Sequence, residues 1–135
     1  MTAEHSQTPL PKKLGIKPGH TVVLLQAPQG YVAILGSQLQ QVRVLQNETP
    51  DADVIQFFTA SQEELGKRFP ELVQILPRHG AIWICWPKKS SGAMTDLTEN
   101  IVREAGLSAG LVDVKAAAID ELWSGLKFVY RLRDR

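Results

Sequence analysis

Lys88-Lys89-Ser90-Ser91-Gly92 is the stretch of this chain best furnished for binding chemistry, because two ammonium groups, two hydroxyls and a glycine follow one another directly. Lysine is a compact point charge, and the backbone N–H groups of a glycine-bearing loop close readily on a phosphate or carboxylate. Trp86 stands just before this stretch, and Trp123 and Tyr31 add flat faces of the kind that stack on a base or ring. Ser61 and Asp96 each precede an apolar-periodic segment, so two helix N-termini would add partial positive charge. The ordinary alternative is that the lysines are solvated and the tryptophans fill the core. Asp96 would place negative charge beside the expected anion unless it serves as a helix cap.

The other reactive side chains offer less. Cys85 lies between Ile84 and Trp86 in an apolar run, with no base beside it to make a thiolate, so packing is the expected role. As the only cysteine, it excludes an internal disulfide and fits a reducing cytoplasm. His5 belongs to a polar N-terminal stretch, while His20 and His79 precede apolar runs; with no His or Cys at ligand spacing, no metal site is expected. Asp113 and Lys115 alternate along one run, and Lys127 and Arg131 along the next, which predicts cross-strand ion pairs. Lys127 also stays a candidate for the binding rim.

With 15 basic against 14 acidic residues, no global field draws the chain to nucleic acid or an anionic membrane, so neither partner is expected. The basic end, Arg131-Leu132-Arg133-Asp134-Arg135, is too short and mixed to change that. No apolar run suits a secretory signal or a membrane span.

These residues need a scaffold, and the apolar pattern supplies one. Residues 1–13 are expected to be a flexible tail, and 14–135 one folded domain. Thr21–Leu25, Val42–Leu45, Val54–Phe58 and Ala81–Trp86 read as buried strands. Pro28 opens a short helix through Leu35. Ser61 followed by Glu64 is a capping signature ahead of Leu65, Phe69, Leu72, Val73 and Leu76, and Pro70 is expected to kink or split that helix. Thr95 or Asp96 caps another helix through Ala105. Leu111–Ile119 and Leu126–Leu132 are joined by a segment too short for a parallel crossover, which predicts an antiparallel hairpin. The fold class is therefore α/β, three-layered, with a mostly parallel sheet and a C-terminal antiparallel strand.

Leu14-Gly15-Ile16-Lys17-Pro18-Gly19-His20-Thr21-Val22-Val23-Leu24 and Leu76-Pro77-Arg78-His79-Gly80-Ala81-Ile82-Trp83-Ile84 resemble segments of the class I methyltransferases, a Rossmann-like fold. The resemblance covers residues 14–132 and implies a truncated form, with part of the second half of that fold's first βαβ region missing. It also implies a Gly-x-Gly loop after the first strand, where the backbone approaches S-adenosylmethionine. Here that segment is Leu25-Gln26-Ala27-Pro28-Gln29-Gly30-Tyr31, with one glycine and a proline, so the expectation is that S-adenosylmethionine is not bound in the usual pose. Trp86-Pro87-Lys88-Lys89, Gly110-Leu111-Val112-Asp113-Val114-Lys115 and Trp123-Ser124-Gly125-Leu126-Lys127-Phe128 are in addition similar to an uncharacterised bacterial family classed as a domain of unknown function. That family brings no activity with it.

Ligands of open parallel sheets bind beyond the carboxyl ends of the strands. Pro28, Gly30, Tyr31, Ser61, Lys88, Lys89, Ser90, Ser91, Trp123, Ser124 and Lys127 are expected to meet at that edge. The function this favours is a non-catalytic binding module for a small anionic or nucleotide-like ligand, without a cofactor. Two alternatives stay open: a divergent S-adenosylmethionine-dependent methyltransferase, and a homodimerising interaction domain.

Overall fold

Three apolar runs form the centre of the sheet because they are buried on both faces. In the computed structural model, which describes residues 8–135, they are β1 (Thr21–Leu25), β3 (Val54–Phe58) and β4 (Ala81–Pro87), and β3 and β4 are buried at every position. β2 (Arg43–Leu45), β5 (Leu111–Ala118) and β6 (Trp123–Tyr130) complete six strands in the order β2-β1-β3-β4-β6-β5. β1 to β4 pair in parallel, and β6 runs antiparallel between β4 and β5. This is the expected α/β sheet. Its hairpin turns earlier than predicted, because Ile119 N already donates to Trp123 O (2.8 Å) and β6 starts at Trp123.

Alternation along the strands sends side chains to two cores. Val22, Leu24, Val54, Phe58, Trp83 and Cys85 face α1 (Leu10–Leu14) and α2 (Tyr31–Gly36), which contribute Leu14, Tyr31 and Leu35. Val23, Leu25, Ile55, Phe57, Ile82 and Ile84 face α3 (Gln62–Ile75) and α4 (Glu99–Ser108), which contribute Leu65, Phe69, Leu72 and Val102. α1 corrects the expected tail: Leu10 packs on the core and Leu14 is fully buried, so residues 10–13 are folded, while residues 1–7 lie outside the described residues. α3 continues through Pro70 instead of splitting, since buried Phe69 and Leu72 on either side hold the helix to the sheet. Among the described residues, no helix is long and apolar enough to cross a membrane.

At the amino end of the sheet, Asp53 Oδ2 accepts from Thr21 N (2.8 Å) and Oδ1 meets His79 Nε2 (3.1 Å). Burial alone would raise this carboxyl, but the Thr21 N–H and the histidines outweigh it and hold the pKa below the ordinary value. The folded state therefore binds the proton more weakly than the unfolded chain does, and the resulting stability is complete above the unfolded value of about 4. It is lost as pH falls through the lower folded value. Urea midpoints measured from pH 6 to 2 should fall less steeply for Asp53→Asn than for the wild type; parallel curves would show that Asp53 does not carry this sensitivity.

Candidate functional site

The chain leaves β1 toward β2 on one side and returns to β3 on the other, so the carboxyl ends of β1 and β3 flank the crevice where open α/β sheets bind ligands. Two left-handed residues shape its floor. Gln26 takes φ 59° as β1 ends, and Gly30 takes φ 85° at the N-cap of α2. A glutamine there is strained, and two bonds from its own amide hold it: Gln26 Nε2 donates to Phe58 O (2.8 Å) and to Glu64 Oε1 (3.2 Å). A Cβ on Gly30 would meet nothing within 4 Å, so the space above this turn is open. Pro28 assists the turn, since its carbonyl accepts from Tyr31 N (3.0 Å).

The facing wall comes from β3 and α3. Thr59 Oγ1 donates to Glu64 Oε1 (2.5 Å) and accepts from Ser61 N (3.2 Å), while Ser61 Oγ caps α3 by accepting from Glu64 N (3.1 Å). The capping signature is thus half used. The Glu64 backbone is capped as predicted, but its carboxylate turns to Thr59 and Gln26 and binds β1 to α3 across the crevice. Beneath lie Tyr31, Phe58 and Trp123 in edge-to-face contact, with centroids 4.9 and 5.2 Å apart. Tyr31 is buried, and its hydroxyl donates to Gln56 Oε1 (2.9 Å). Burial pushes that phenol, and likewise the fully buried Cys85 thiol, well above their ordinary pKa. Both groups stay neutral.

Pro28 and Gly30 lie in the turn after β1 and buried Tyr31 opens α2, while Ser61 caps α3 beyond β3. The lysine-serine loop forms a separate 3₁₀ turn, Lys89–Ser91, in which Ser91 Oγ is spent on Lys88 O (2.7 Å) and Ala93 N (3.1 Å). Lys88 is half-buried, while Lys89 and Ser90 are exposed. Trp123 and Ser124 open β6 opposite Pro87 and Trp86, at the same edge. Trp86 packs in the α3–α4 core and Trp123 in the α1–α2 core, so the two rings do not share a stack. Lys127 is opposite Trp83 in mid-sheet, away from the rim, because β6 begins earlier than expected. Gln26, Thr59 and Glu64 were missing from the predicted set. Glu64 was visible as a capping residue, but nothing in the pattern marked its carboxylate as facing the crevice.

Carboxylates reach this edge beside its lysines. Both helix N-termini that were to attract an anion are already occupied by the protein's own side chains. Asp96 Oδ1 accepts from Gln62 N (2.7 Å), and Thr98, not Thr95 or Asp96, caps α4 by accepting from Ile101 N (3.2 Å). Asp120 Oδ1 accepts from Leu122 N (2.8 Å) and Trp123 N (2.9 Å). With Glu64, three carboxylates stand along the rim.

No protein family model matches the chain, and no curated protein matches it. Solved structures do. A SAM-dependent methyltransferase from Aquifex aeolicus is similar with a TM-score of 0.63 and 17% identity, over 87% of this chain and 85% of that one. A SAH-bound methyltransferase of calicheamicin biosynthesis is similar with a TM-score of 0.63 and 13% identity; the chain, 96% of it matched, spans 55% of that protein. The SAH-bound magnesium protoporphyrin IX methyltransferase of Synechocystis PCC 6803 is similar at 0.56 and 13%, over 84% and 75% of the two chains. At these identities the likeness establishes a methyltransferase-like Rossmann fold.

These likenesses correct two expectations. The chain shares its fold with enzymes that use S-adenosylmethionine, against a non-catalytic anion-binding module and against a fold closed to that cofactor. Gln26, pinned by Phe58 O and Glu64, adopts a left-handed turn that side chains other than glycine rarely take, so the backbone bends without the Gly-x-Gly sequence.

Proposed function

We propose that the chain binds S-adenosylmethionine in the crevice between β1 and β3 and is a methyltransferase of the S-adenosylmethionine-dependent kind. The observation that carries this is the strand order: β1 and β3 flank a topological switch point, with the open Gly30 turn after β1 and the Glu64 carboxylate beyond β3. The residues suit the cofactor's charges. S-adenosylmethionine carries an ammonium, a sulfonium and a carboxylate, and the first two are favoured beside Glu64. Glu64 Oε1 takes the Gln26 and Thr59 donors, and among the described residues its second oxygen has no hydrogen-bond partner.

When bound, the cofactor supplies an electrophilic methyl group on its sulfonium sulfur. The backbone from Gln26 to Gly30 would hold its amino-acid end, where the left-handed turn lets the chain come close. Gln26 and Thr59 fix the Glu64 carboxylate so that it need not reorganise on binding. Phe58 and Tyr31 seal the floor against water. A lone cysteine and no membrane-length helix among the described residues suit a cytoplasmic enzyme.

Calorimetric titration with S-adenosylmethionine should give a saturable heat that S-adenosylhomocysteine displaces. Glu64→Gln keeps the Thr59 contact and removes the charge, and should weaken binding roughly tenfold, about 1.4 kcal/mol. Wild-type protein silent at concentrations that reveal a Kd of about 1 mM would overturn the proposal.

A further inference from the structure

Lys115 and Lys127 stand directly opposite each other across the β5–β6 pair, an arrangement in which like charges weaken strand pairing. A bulge at Val114 puts them there, by shifting the register between Asp113 and Lys115. The carboxylate expected beside them has gone elsewhere: Asp113 Oδ2 accepts from Arg103 Nε of α4 (2.9 Å). Among the described residues, none of Lys13, Lys17, Lys115 and Lys127 forms an ion pair. Lys127 is half-buried, and its ammonium lies 3.0 Å from where a Cβ on Gly15 would stand. Burial first, then the charges of Lys115 and Lys17, hold its pKa below the ordinary lysine value.

The cluster is built rather than loose. Lys115 Nζ donates to Lys13 O (2.9 Å), and Lys13 Nζ donates to Ala118 O (3.0 Å), so α1 and β5 fix each other's charges in place. Val129 lies two residues beyond Lys127 on the same face of β6, about 7 Å along the strand. It lines a cavity of about 410 Å³ together with Arg78, His79, Gly80, Val114 and Arg135. Both arginines are held by backbone: Arg78 donates to Asp134 O and lies 5.5 Å from the Tyr130 ring centroid, and Arg135 Nε donates to Tyr130 O (2.8 Å). Of the carboxylates near this lining, Asp53 bonds His79, and Asp134 stands beside Arg133.

We infer that this face of the β5–β6 hairpin binds a phosphorylated small molecule, with its phosphoryl group on Lys127 and Lys115 and its remainder in the Arg78–Arg135 cavity. Two adjacent ammonium groups without a carboxylate partner among the described residues match a dianionic phosphoryl group. The site is in mid-sheet, apart from the crevice between β1 and β3, and is independent of the cofactor reading.

Sodium pyrophosphate is the probe, compared with sodium chloride at equal ionic strength by thermal unfolding. Pyrophosphate in large excess should raise the wild-type Tm by roughly 5 °C more than chloride does. Lys127→Met should itself raise the Tm in chloride, because it removes the like-charge contact, and should lose most of the pyrophosphate increment. Lys115→Gln, at an exposed position, should lose it too, so the result does not hang on one variant's folding. Lys89→Met at the rim should keep it in full. Equal shifts from the two salts, or an increment retained by both Lys127→Met and Lys115→Gln, would overturn the inference.

Discussion

Gly106→Ala is expected to destabilise the protein by about 3 kcal/mol, although the substitution puts the best helix former into a helix. Propensity alone would favour alanine by about 1 kcal/mol. At this position packing outweighs it. A Cβ on Gly106 would overlap the Phe128 ring, and even Cζ, the farthest of its three nearest atoms, would be 2.7 Å away. The ring has no room to yield, because Phe128 is fully buried and packs edge-on against Phe69 with centroids 5.3 Å apart. α4 must therefore lift from the sheet or Phe128 must leave its rotamer, and either costs more than propensity returns. Gly66 in α3 is the matched control: it is exposed, a Cβ there meets nothing within 4 Å, and Gly66→Ala should stabilise by about 0.5–1 kcal/mol. Urea unfolding reads both signs. Gly106→Ala with Phe128→Leu should recover part of the loss, and a wild-type midpoint for Gly106→Ala alone would refute the packing argument.

Trp83→Ala should cost about 3–5 kcal/mol, the range for emptying a fully buried large aromatic site. Trp83 does two jobs. Its ring fills the α1–α2 core under Gly125, whose added Cβ would come within 3.0 Å of Trp83 Cε3, and its indole Nε1 donates to Leu14 O (3.0 Å). That bond fastens the end of α1 to the centre of the sheet. Trp83→Phe keeps most of the volume and leaves the Leu14 carbonyl without its donor, for a loss of about 1–3 kcal/mol. The two variants separate the roles. Limited proteolysis should cut near α1 faster in Trp83→Phe than in the wild type, while Trp83→Ala should also lower the global urea midpoint; unchanged cleavage in Trp83→Phe would show that the indole bond does not hold α1.

Much of the scaffold was legible because it depends on local chemistry. The apolar runs at Thr21–Leu25, Val54–Phe58 and from Ala81 onward are the strands they were read to be, and the Ser61–Glu64 spacing starts α3 at its observed cap. The cap of α4 was misread because Thr95, Asp96 and Thr98 are all capable of the role and differ only in what surrounds them. Thr95 Oγ1 donates to Ala60 O (2.7 Å), Asp96 reaches Gln62 N, and Thr98 is left to cap. Likewise, alternation predicted that Asp113 and Lys115 would meet Lys127 and Arg131, and one extra residue at the bulge was enough to face lysine to lysine.

The candidate site shows the same division. The strand order puts its Pro28, Gly30, Tyr31 and Ser61 on the segments that leave the carboxyl ends of β1 and β3. The character of the site did not follow. The lysine-serine loop looked electropositive in isolation, yet Glu64, Asp96 and Asp120 arrive at the same edge from three other segments.

By itself, the sequence determined the α/β class, the sheet's strands and which loops share its carboxyl edge, because apolar period, turn chemistry and capping spacing act within a few residues. Only the tertiary structure decided which carboxylates reach that edge, the left-handed turn at Gln26 and the lysine cluster on the β5–β6 hairpin. Each of these depends on groups brought together from distant parts of the chain, where a single hydrogen bond or a one-residue bulge selects among conformations that the local sequence leaves nearly equal.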